Sequence, residues 1–162
     1  MKRHIPNILT LLNLLSGCLG IIFVFEANLV YAAYAIWISA LFDFFDGFAA
    51  RLLKVSSPIG KELDSLADMV TFGVLPAFMM MSIVVDAPNQ YLKFIPLIIA
   101  LFAALRLAKF NTDDNQTTSF IGMPTPSVAF FVSGLPFWLT THNELFSWPI
   151  VIIVSITLAL VM

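Results

Sequence analysis

Six long apolar stretches separated by short polar breaks dominate this sequence. A membrane-crossing helix needs roughly 17 to 25 mostly apolar residues, and several of these stretches fall in that range. Of the 162 residues, 60% are hydrophobic and 11% are charged, whereas a soluble domain has about a quarter of its residues charged. The sequence therefore predicts an all-α membrane protein, a bundle of about six transmembrane helices. The predicted spans are Ile8–Phe25, Leu29–Leu53, Ile59–Val85, Tyr91–Phe110, Thr125–Thr140 and Phe146–Met162.

The basic residues predict how this bundle is oriented. Seven of the eight Lys and Arg residues fall at one set of helix ends, and Lys93 falls at the other. Because Lys and Arg concentrate on the cytoplasmic side, we expect a cytoplasmic N-terminus in the cytoplasmic (inner) membrane. The seven residues are Lys2, Arg3, Arg51, Lys54, Lys61, Arg106 and Lys109.

The overall composition excludes several classes of function. A net charge of −2 gives no basic surface for nucleic acid, and the single Cys18 leaves no disulfide framework and no zinc spacing. No repeat or linker is visible, so residues 1–162 are predicted to form a single domain. The last apolar run reaches Met162 without a polar flank. We therefore expect that the natural chain continues beyond Met162 or that this sequence was shortened there.

Four carboxylates lie inside the second and third apolar stretches, where charged groups are costly and are candidates for function. On the second predicted helix, residues 43, 46, 47 and 50 share one face, and on the third, residues 60, 64, 68 and 71 form one stripe. The first set is Asp43, Asp46, Gly47 and Ala50. The second is Gly60, Asp64, Asp68 and Thr71.

The break between these helices predicts a hairpin, because Ser57 and Pro58 favour a turn followed by a helix start. At about 1.5 Å of rise per residue, such a hairpin places the four carboxylates at nearly one depth. Two carboxylates about 4 Å apart repel by roughly 4 kcal/mol at an effective dielectric constant of 20, and divalent cations relieve that repulsion. Oxygen ligands favour Mg²⁺, Mn²⁺ or Ca²⁺, and a pair of such ions suits displacement at phosphorus.

The residues beside the acids leave room for a ligand. Gly47 and Ala50 have almost no side chain, and Arg51 offers a planar fork for phosphate. Three plainer interpretations stay open: close helix packing for the small residues, a membrane-interface anchor for Arg51, and a proton or ion transporter built on the acids.

Eight of these residues together resemble the signature of the CDP-alcohol phosphatidyltransferase family. The signature has fixed spacing, with no departure in this sequence, and its flanks resemble the branch of the family that uses serine. The flanks are residues 5–13, 60–76 and 106–111. The eight residues are Asp43, Asp46, Gly47, Ala50, Arg51, Gly60, Asp64 and Asp68.

The resemblance implies a six-helix, usually dimeric membrane enzyme whose site faces the cytoplasm. It implies transfer of a phosphatidyl group from CDP-diacylglycerol to L-serine, giving phosphatidylserine and CMP. By resemblance, the four acids hold two divalent cations, and Asp68 is also the general base. The CDP-lipid would lie against Asp46, Gly47, Ala50, Arg51 and Gly60.

The remaining polar residues leave their partners open. Thr10 and Asn13 on the first helix contact the nucleotide or hydrogen-bond a neighbouring helix. Acceptor binding is predicted for Thr71, Arg106, Lys109 and Asn111, although the two basic residues also fit interface anchors. Glycerol 3-phosphate and inositol phosphate are the alternative acceptors, and both would require more cationic residues than this region offers.

Overall fold

The computed structural model describes residues 4–55, 57–84, 87–112, 122–140 and 147–162, and over these ranges the chain is helical without a β-strand. The basic residues Lys2 and Arg3, and the predicted span ends Val85 and Phe146, lie outside the described residues. The elements are α1 (Ile5–Phe25), α2 (Leu29–Leu53), α3 (Pro58–Asp68), a π-helical segment (Met69–Val74), α4 (Leu75–Ile83), a 3-10 helix (Leu92–Leu97), α5 (Ile98–Thr112), α6 (Thr125–Leu139) and α7 (Trp148–Val161).

All six predicted apolar stretches contain helix, as the sequence indicated. Three helical rods are long and apolar enough to cross a membrane: α1, α2 and the continuous rod Pro58–Ile83, which contains α3, the π-helical segment and α4. These rods and the all-helical architecture are those of a membrane protein. The total of six spans remains a prediction.

The predicted hairpin between α2 and α3 is present. Lys54 ends α2 with a left-handed backbone conformation (φ 49°), which turns the chain out of the helix. Ser57 then caps α3, because its side-chain oxygen accepts a hydrogen bond from the Gly60 amide at 3.0 Å. Pro58 follows in the first turn, where a missing amide hydrogen has no cost. The reversal therefore brings the acidic ends of α2 and α3 side by side.

Helix α1 packs against both arms of this hairpin. It runs antiparallel to α2 and parallel to the rod Pro58–Ile83. A Cβ atom at Gly20 would lie 2.5 Å from the Leu75 side chain and 3.0 Å from Ala35, so the three helices approach closely there. Glycine permits that approach because it has no side chain to separate the backbones. Helix α1 is thus the common neighbour of both acidic helices.

The apolar core lies in the half of the molecule away from the acids. Phe72, Leu75, Met79 and Met80 are completely buried in the third rod, where α1, α5, α6 and α7 surround them. Burial of such side chains stabilises the bundle without using the polar end. The fold therefore separates a packed apolar half from a half in which polar residues face one another.

Candidate active site

Two hydrogen bonds from α1 orient carboxylates on the neighbouring helices. Thr10 Oγ1 donates to Asp46 Oδ2 at 2.6 Å, and the Asn13 amide nitrogen donates to Asp68 Oδ1 at 3.2 Å. Thr10 and Asn13 stand one turn apart on α1, so α1 holds the two acids at successive levels along its axis. Thr10 and Asn13 thus both hydrogen-bond neighbouring helices, which is one of the two roles expected for them from the sequence.

Three carboxylates come together at the crossing of α2 and α3. Asp43, Asp64 and Asp68 each present an oxygen, and these oxygens lie within 4.8 Å of one another. The like charges that act on Asp68 are those of Asp43, Asp64 and Asp46. The convergence of four carboxylates at one depth, predicted from spacing, is therefore confirmed for three of them.

The fourth acid is placed differently from the other three. Asp46 is only 6% exposed and is engaged with Thr10, whereas the other carboxyl groups are half-buried. A divalent cation prefers several oxygen ligands at short distance, and the group of Asp43, Asp64 and Asp68 offers them. The residues present thus fit a hard divalent cation, and their mutual repulsion gives a physical reason to bind one.

A cavity of about 270 Å³ opens beside the acids. Five of the residues predicted to bind the CDP-lipid line it: Thr10, Asp46, Gly47, Ala50 and Gly60. A Cβ atom added at Gly47 would meet no atom of the described residues within 4 Å, so they leave the space in front of this glycine open. Gly47 therefore borders open space and packs against no helix that the structure describes.

Arg51 lies outside this cavity. It is exposed and lines a neighbouring recess together with Ala50, Lys54 and Val55. Ala50 and Val55 border both spaces, so Arg51 stands at the far side of a shared wall.

Asn13 connects all three helices around the acids. Its side chain is fully buried, and its backbone carbonyl accepts hydrogen bonds from Ser39 Oγ at 3.1 Å and Thr71 Oγ1 at 3.4 Å. Its own amide oxygen, Oδ1, has no hydrogen-bond partner within the described ranges. A buried polar atom without a partner is uncommon in a stable core, and the Asn13 amide is bonded on one side only, through its nitrogen to Asp68.

The residues predicted to bind the acceptor occupy unequal positions. Thr71 is fully buried in the π-helical segment, and its hydroxyl is used by the Asn13 carbonyl. Arg106 is half-buried on α5, and Lys109 is exposed. The Asn111 amide donates to Ser65 Oγ at 2.8 Å. These four residues therefore do not form one compact group.

The register between α5 and the third rod locates Arg106 relative to the acids. Asn111 contacts Ser65, and a Cβ atom at Gly73 would lie 2.9 Å from Ala103 Cβ, so the two elements run antiparallel. Interpolation between these contacts places Arg106 opposite position 70, within about one helical turn of Asp68. The same interpolation places Lys109 opposite position 67, so both basic residues lie near the depth of the acids, and Arg106 is the half-buried one of the two.

Comparison with known proteins identifies the family. The family model described as CDP-alcohol phosphatidyltransferase matches residues 3–161. The chain belongs to the CDP-alcohol phosphatidyltransferase family. The resemblance drawn from the eight signature residues is thereby confirmed.

Several relatives of the family are similar over most of the chain. The CDP-diacylglycerol–serine O-phosphatidyltransferase of Bacillus subtilis is 40% identical over 147 residues, which cover 88% of this chain and 79% of that protein. The archaetidylserine synthase of Methanothermobacter thermautotrophicus is 35% identical, covering 94% of this chain and 65% of the relative. A CDP-diacylglycerol–serine O-phosphatidyltransferase of Helicobacter pylori is 34% identical, covering 78% and 54%. The chain thus spans between about half and four fifths of these three relatives.

Several residues at the site were not predicted from the sequence, among them three with polar side chains. Ser39 bonds the Asn13 carbonyl, Ser65 bonds Asn111, and Lys61 lines the cavity. Lys61 and Ser65 lie within the family signature but not at its fixed positions. Lys61 stands three residues before Asp64, and Ser65 follows Asp64 directly. Residues at these spacings on a short helix share the surroundings of the acid, so their positions could have indicated a place at the site. Ser39 gave no comparable signal.

Proposed function

We propose that this protein transfers a phosphatidyl group from CDP-diacylglycerol to L-serine, giving phosphatidylserine and CMP. The observation that carries the proposal is the convergence of Asp43, Asp64 and Asp68 beside an open cavity lined by small residues. Relatives named for transfer to serine, at 34% to 40% identity, support serine as the acceptor. The family supports the donor, a CDP-activated lipid.

We propose that the four acids, Asp43, Asp46, Asp64 and Asp68, hold two divalent cations, Mg²⁺ or Mn²⁺. The acidic group of the structure and the metal dependence of the family support this assignment. Bound cations would neutralise the diphosphate of the donor and the negative charge of the leaving CMP. The Thr10 and Asn13 hydrogen bonds fix two of the carboxylates in orientation, so the ligand set is preorganised.

The donor nucleotide is proposed to occupy the cavity. Gly47, Ala50 and Gly60 form its walls, and the empty space before Gly47 admits a flat or bulky group. Arg51 would pair with a phosphate at the shared wall, because a guanidinium forms two parallel hydrogen bonds to phosphate oxygens. Thr10 and Asn13 would act through Asp46 and Asp68, the carboxylates to which they donate hydrogen bonds.

The reaction proposed is a direct displacement at the phosphorus of the phosphatidyl group. The serine hydroxyl oxygen forms a bond to this phosphorus while the bond to the CMP oxygen breaks. Asp68 takes the hydroxyl proton, and CMP leaves with the bonding electron pair. Asp68 suits this role because Asn13 fixes one of its carboxylate oxygens. No covalent intermediate on the protein is required.

Serine is proposed to bind on the α5 side of the acids. Arg106 would pair with the serine carboxylate, since its register places it within about one turn of Asp68. Lys109, one turn further along α5 and exposed, would add positive charge at the entrance. Thr71 and Asn111 would shape this side through their bonds to Asn13 and Ser65.

The proposed setting follows from the sequence pattern. We propose one domain of six membrane spans with the N-terminus in the cytoplasm, located in the inner membrane and assembled as a homodimer. The three long apolar rods support membrane insertion, and the bias of basic residues supports the orientation. Arg51, Lys61 and Lys109 lie at the acidic end of the bundle, which supports a site that faces the cytoplasm.

An acceptor screen tests the function. Purified protein in mixed micelles would receive CDP-diacylglycerol, Mn²⁺ or Mg²⁺, and one acceptor at a time, with CMP release as the measurement. Serine should give CMP and phosphatidylserine, and a chelator should abolish both. CMP release with glycerol 3-phosphate or inositol phosphate, but not with serine, would assign another acceptor to the same chemistry.

A further inference from the structure

Lys61 is the cationic residue of the cavity. It lies on α3 three residues before Asp64 and lines the cavity together with Gly47 and Gly60. Among the described residues that line this space, no other Lys or Arg is present, whereas Asp46 and Asp64 both contribute negative charge. A doubly charged diphosphate that enters the cavity therefore meets one fixed positive side chain.

A hydrogen-bonded group holds Lys61 in place. Its ammonium nitrogen donates to the backbone carbonyl of Asn111 at 3.2 Å, and the Asn111 side chain donates to Ser65 Oγ at 2.8 Å. We call Lys61, Ser65 and Asn111 the α3–α5 bridge. It fastens the last turn of α5 to α3 on both sides of Asp64 in sequence.

The chemistry of an ammonium group makes this arrangement unusual for a simple surface anchor. A lysine has three N–H donors, and the Asn111 carbonyl uses one of them. A snorkelling lysine extends freely to water or lipid headgroups, whereas the exposed Lys61 side chain lines the cavity and bonds the end of α5. Its two other donors remain for oxygen acceptors in the cavity.

On the basis of the proposed function, we propose that Lys61 binds the diphosphate of the CDP-lipid and that the Ser65–Asn111 hydrogen bond positions it. Lysine is a common phosphate ligand because its compact charge attracts phosphate oxygens without strict geometry. Lys61 offsets the repulsion between the diphosphate and the acids on the cavity wall. Arg51, in the neighbouring recess, acts on the other side of the shared wall.

Steady-state kinetics of Lys61→Gln and Lys61→Arg test the binding role. Lys61→Gln should raise the KM for CDP-diacylglycerol about tenfold, the expected order for one charged hydrogen bond, while kcat and the KM for serine change less than about twofold. Lys61→Arg should recover most of the loss because the charge is kept. Lys93→Gln removes an exposed charge from the opposite end of the bundle and should leave all three constants unchanged.

Two results would overturn the Lys61 assignment. An unchanged donor KM would make Lys61 an ordinary interface residue. A rise in the KM for serine alone would assign Lys61 to the acceptor carboxylate. The donor KM is measured with whichever acceptor releases CMP, so failure of serine as acceptor leaves this test intact. A wild-type chain that releases no CMP with any acceptor would instead overturn the proposed function.

The positioning role has a separate test. Ser65→Ala and Asn111→Ala remove the same hydrogen bond from opposite sides, so each should raise the donor KM about threefold and the double variant should add little to either. If the effects add fully, or if the variants lower kcat and leave the donor KM unchanged, the bond does not position Lys61. Thr112→Ala, on the exposed end of α5, is the matched control for loss of a polar side chain there.

Discussion

The two sides of the site are built in different ways. On the side of α1, α2 and α3, side chains from different helices bond one another directly, as Thr10 does with Asp46 and Asn13 with Asp68. On the α5 side, Arg106 and Lys109 extend from a single helix. Within the described parts of α3 and α5, the Asn111–Ser65 hydrogen bond is the one that joins two side chains, and Lys61 bonds only the Asn111 backbone.

The difference teaches where rigidity is needed. Displacement at phosphorus requires charges and a base held in fixed geometry, because misplacement by about 1 Å is costly in rate. Recognition of a small acceptor requires a few complementary charges, which longer and more exposed side chains supply. We expect substitutions of the acids and of their hydrogen-bond partners on the first side to change turnover, and substitutions of Arg106 and Lys109 on the second side to change the KM for serine.

The largest effect is expected at Asp68. Asp68→Asn keeps an oxygen ligand but removes the proposed base, so kcat should fall by about a hundredfold to ten-thousandfold. Binding of Mn²⁺ and of CDP-diacylglycerol should persist, which equilibrium binding to the purified variant would measure. Glu62→Gln, an exposed acid on the same helix, is the control and should keep full activity. Normal turnover by Asp68→Asn would show that another group accepts the proton.

A smaller effect is expected at Asn13. Asn13→Ala leaves Asp68 free to rotate, so kcat should fall about tenfold to a hundredfold with little change in either KM. Ser39→Ala removes only a bond to the Asn13 backbone and should lower kcat no more than about twofold. The thermal stability of both variants is measured by unfolding of the detergent-solubilised protein, so that kcat is compared between variants that are equally well folded. Equal losses in the two variants would mean that helix packing, and not the orientation of Asp68, is being measured.

The space before Gly47 gives a third test. Gly47→Ala adds a methyl group that meets no protein atom within 4 Å, so folding and thermal stability should be maintained. If the nucleotide fills that space, the KM for CDP-diacylglycerol should rise about tenfold through steric overlap. Gly134→Ala is the matched control, since Gly134 on α6 also has nothing within 4 Å. An unchanged donor KM in Gly47→Ala would place the nucleotide elsewhere.

The smallest effect is expected on the acceptor side. Arg106→Gln should raise the KM for serine about fivefold, in keeping with a partly exposed ion pair, and leave the donor KM unaffected. Lys109→Gln, one turn away and exposed, should change it less than about twofold. Initial rates at varied serine would compare the two. A larger effect of Lys109→Gln than of Arg106→Gln would reverse our assignment of the carboxylate partner.

Much of the first side could be predicted from the sequence. Residue spacing on two helices and a turn between them were enough to predict that Asp43, Asp64 and Asp68 lie together, because helix periodicity fixes which side chains share a face. The partners of Thr10 and Asn13 could not be chosen in advance. A hydroxyl or amide on a membrane helix bonds whatever the neighbouring helix presents, and that depends on the packing of three helices.

The environment of Thr71 could not be predicted from spacing alone. An α-helical stripe places it in line with Asp64 and Asp68, but the chain changes to a π-helix at Met69–Val74. Close approaches at Gly17 and at Gly73 accompany this change, and they belong to tertiary packing. Thr71 consequently bonds the Asn13 carbonyl in the interior. Its local sequence carried no sign of this, since π-helices have only a weak sequence signature.

The π-helical segment has a consequence for how the third rod tolerates insertion and deletion. A wider turn inside an α-helix is equivalent to about one additional residue, and each residue rotates an α-helix by about 100°. Removing one residue from Met69–Val74 would restore a regular helix but turn Leu75–Ile83 by roughly that angle relative to Asp64 and Asp68. The segment thus acts as a phase shifter: it lets the acids face α1 and α2 while Leu75, Met79 and Met80 face the core on the same continuous rod.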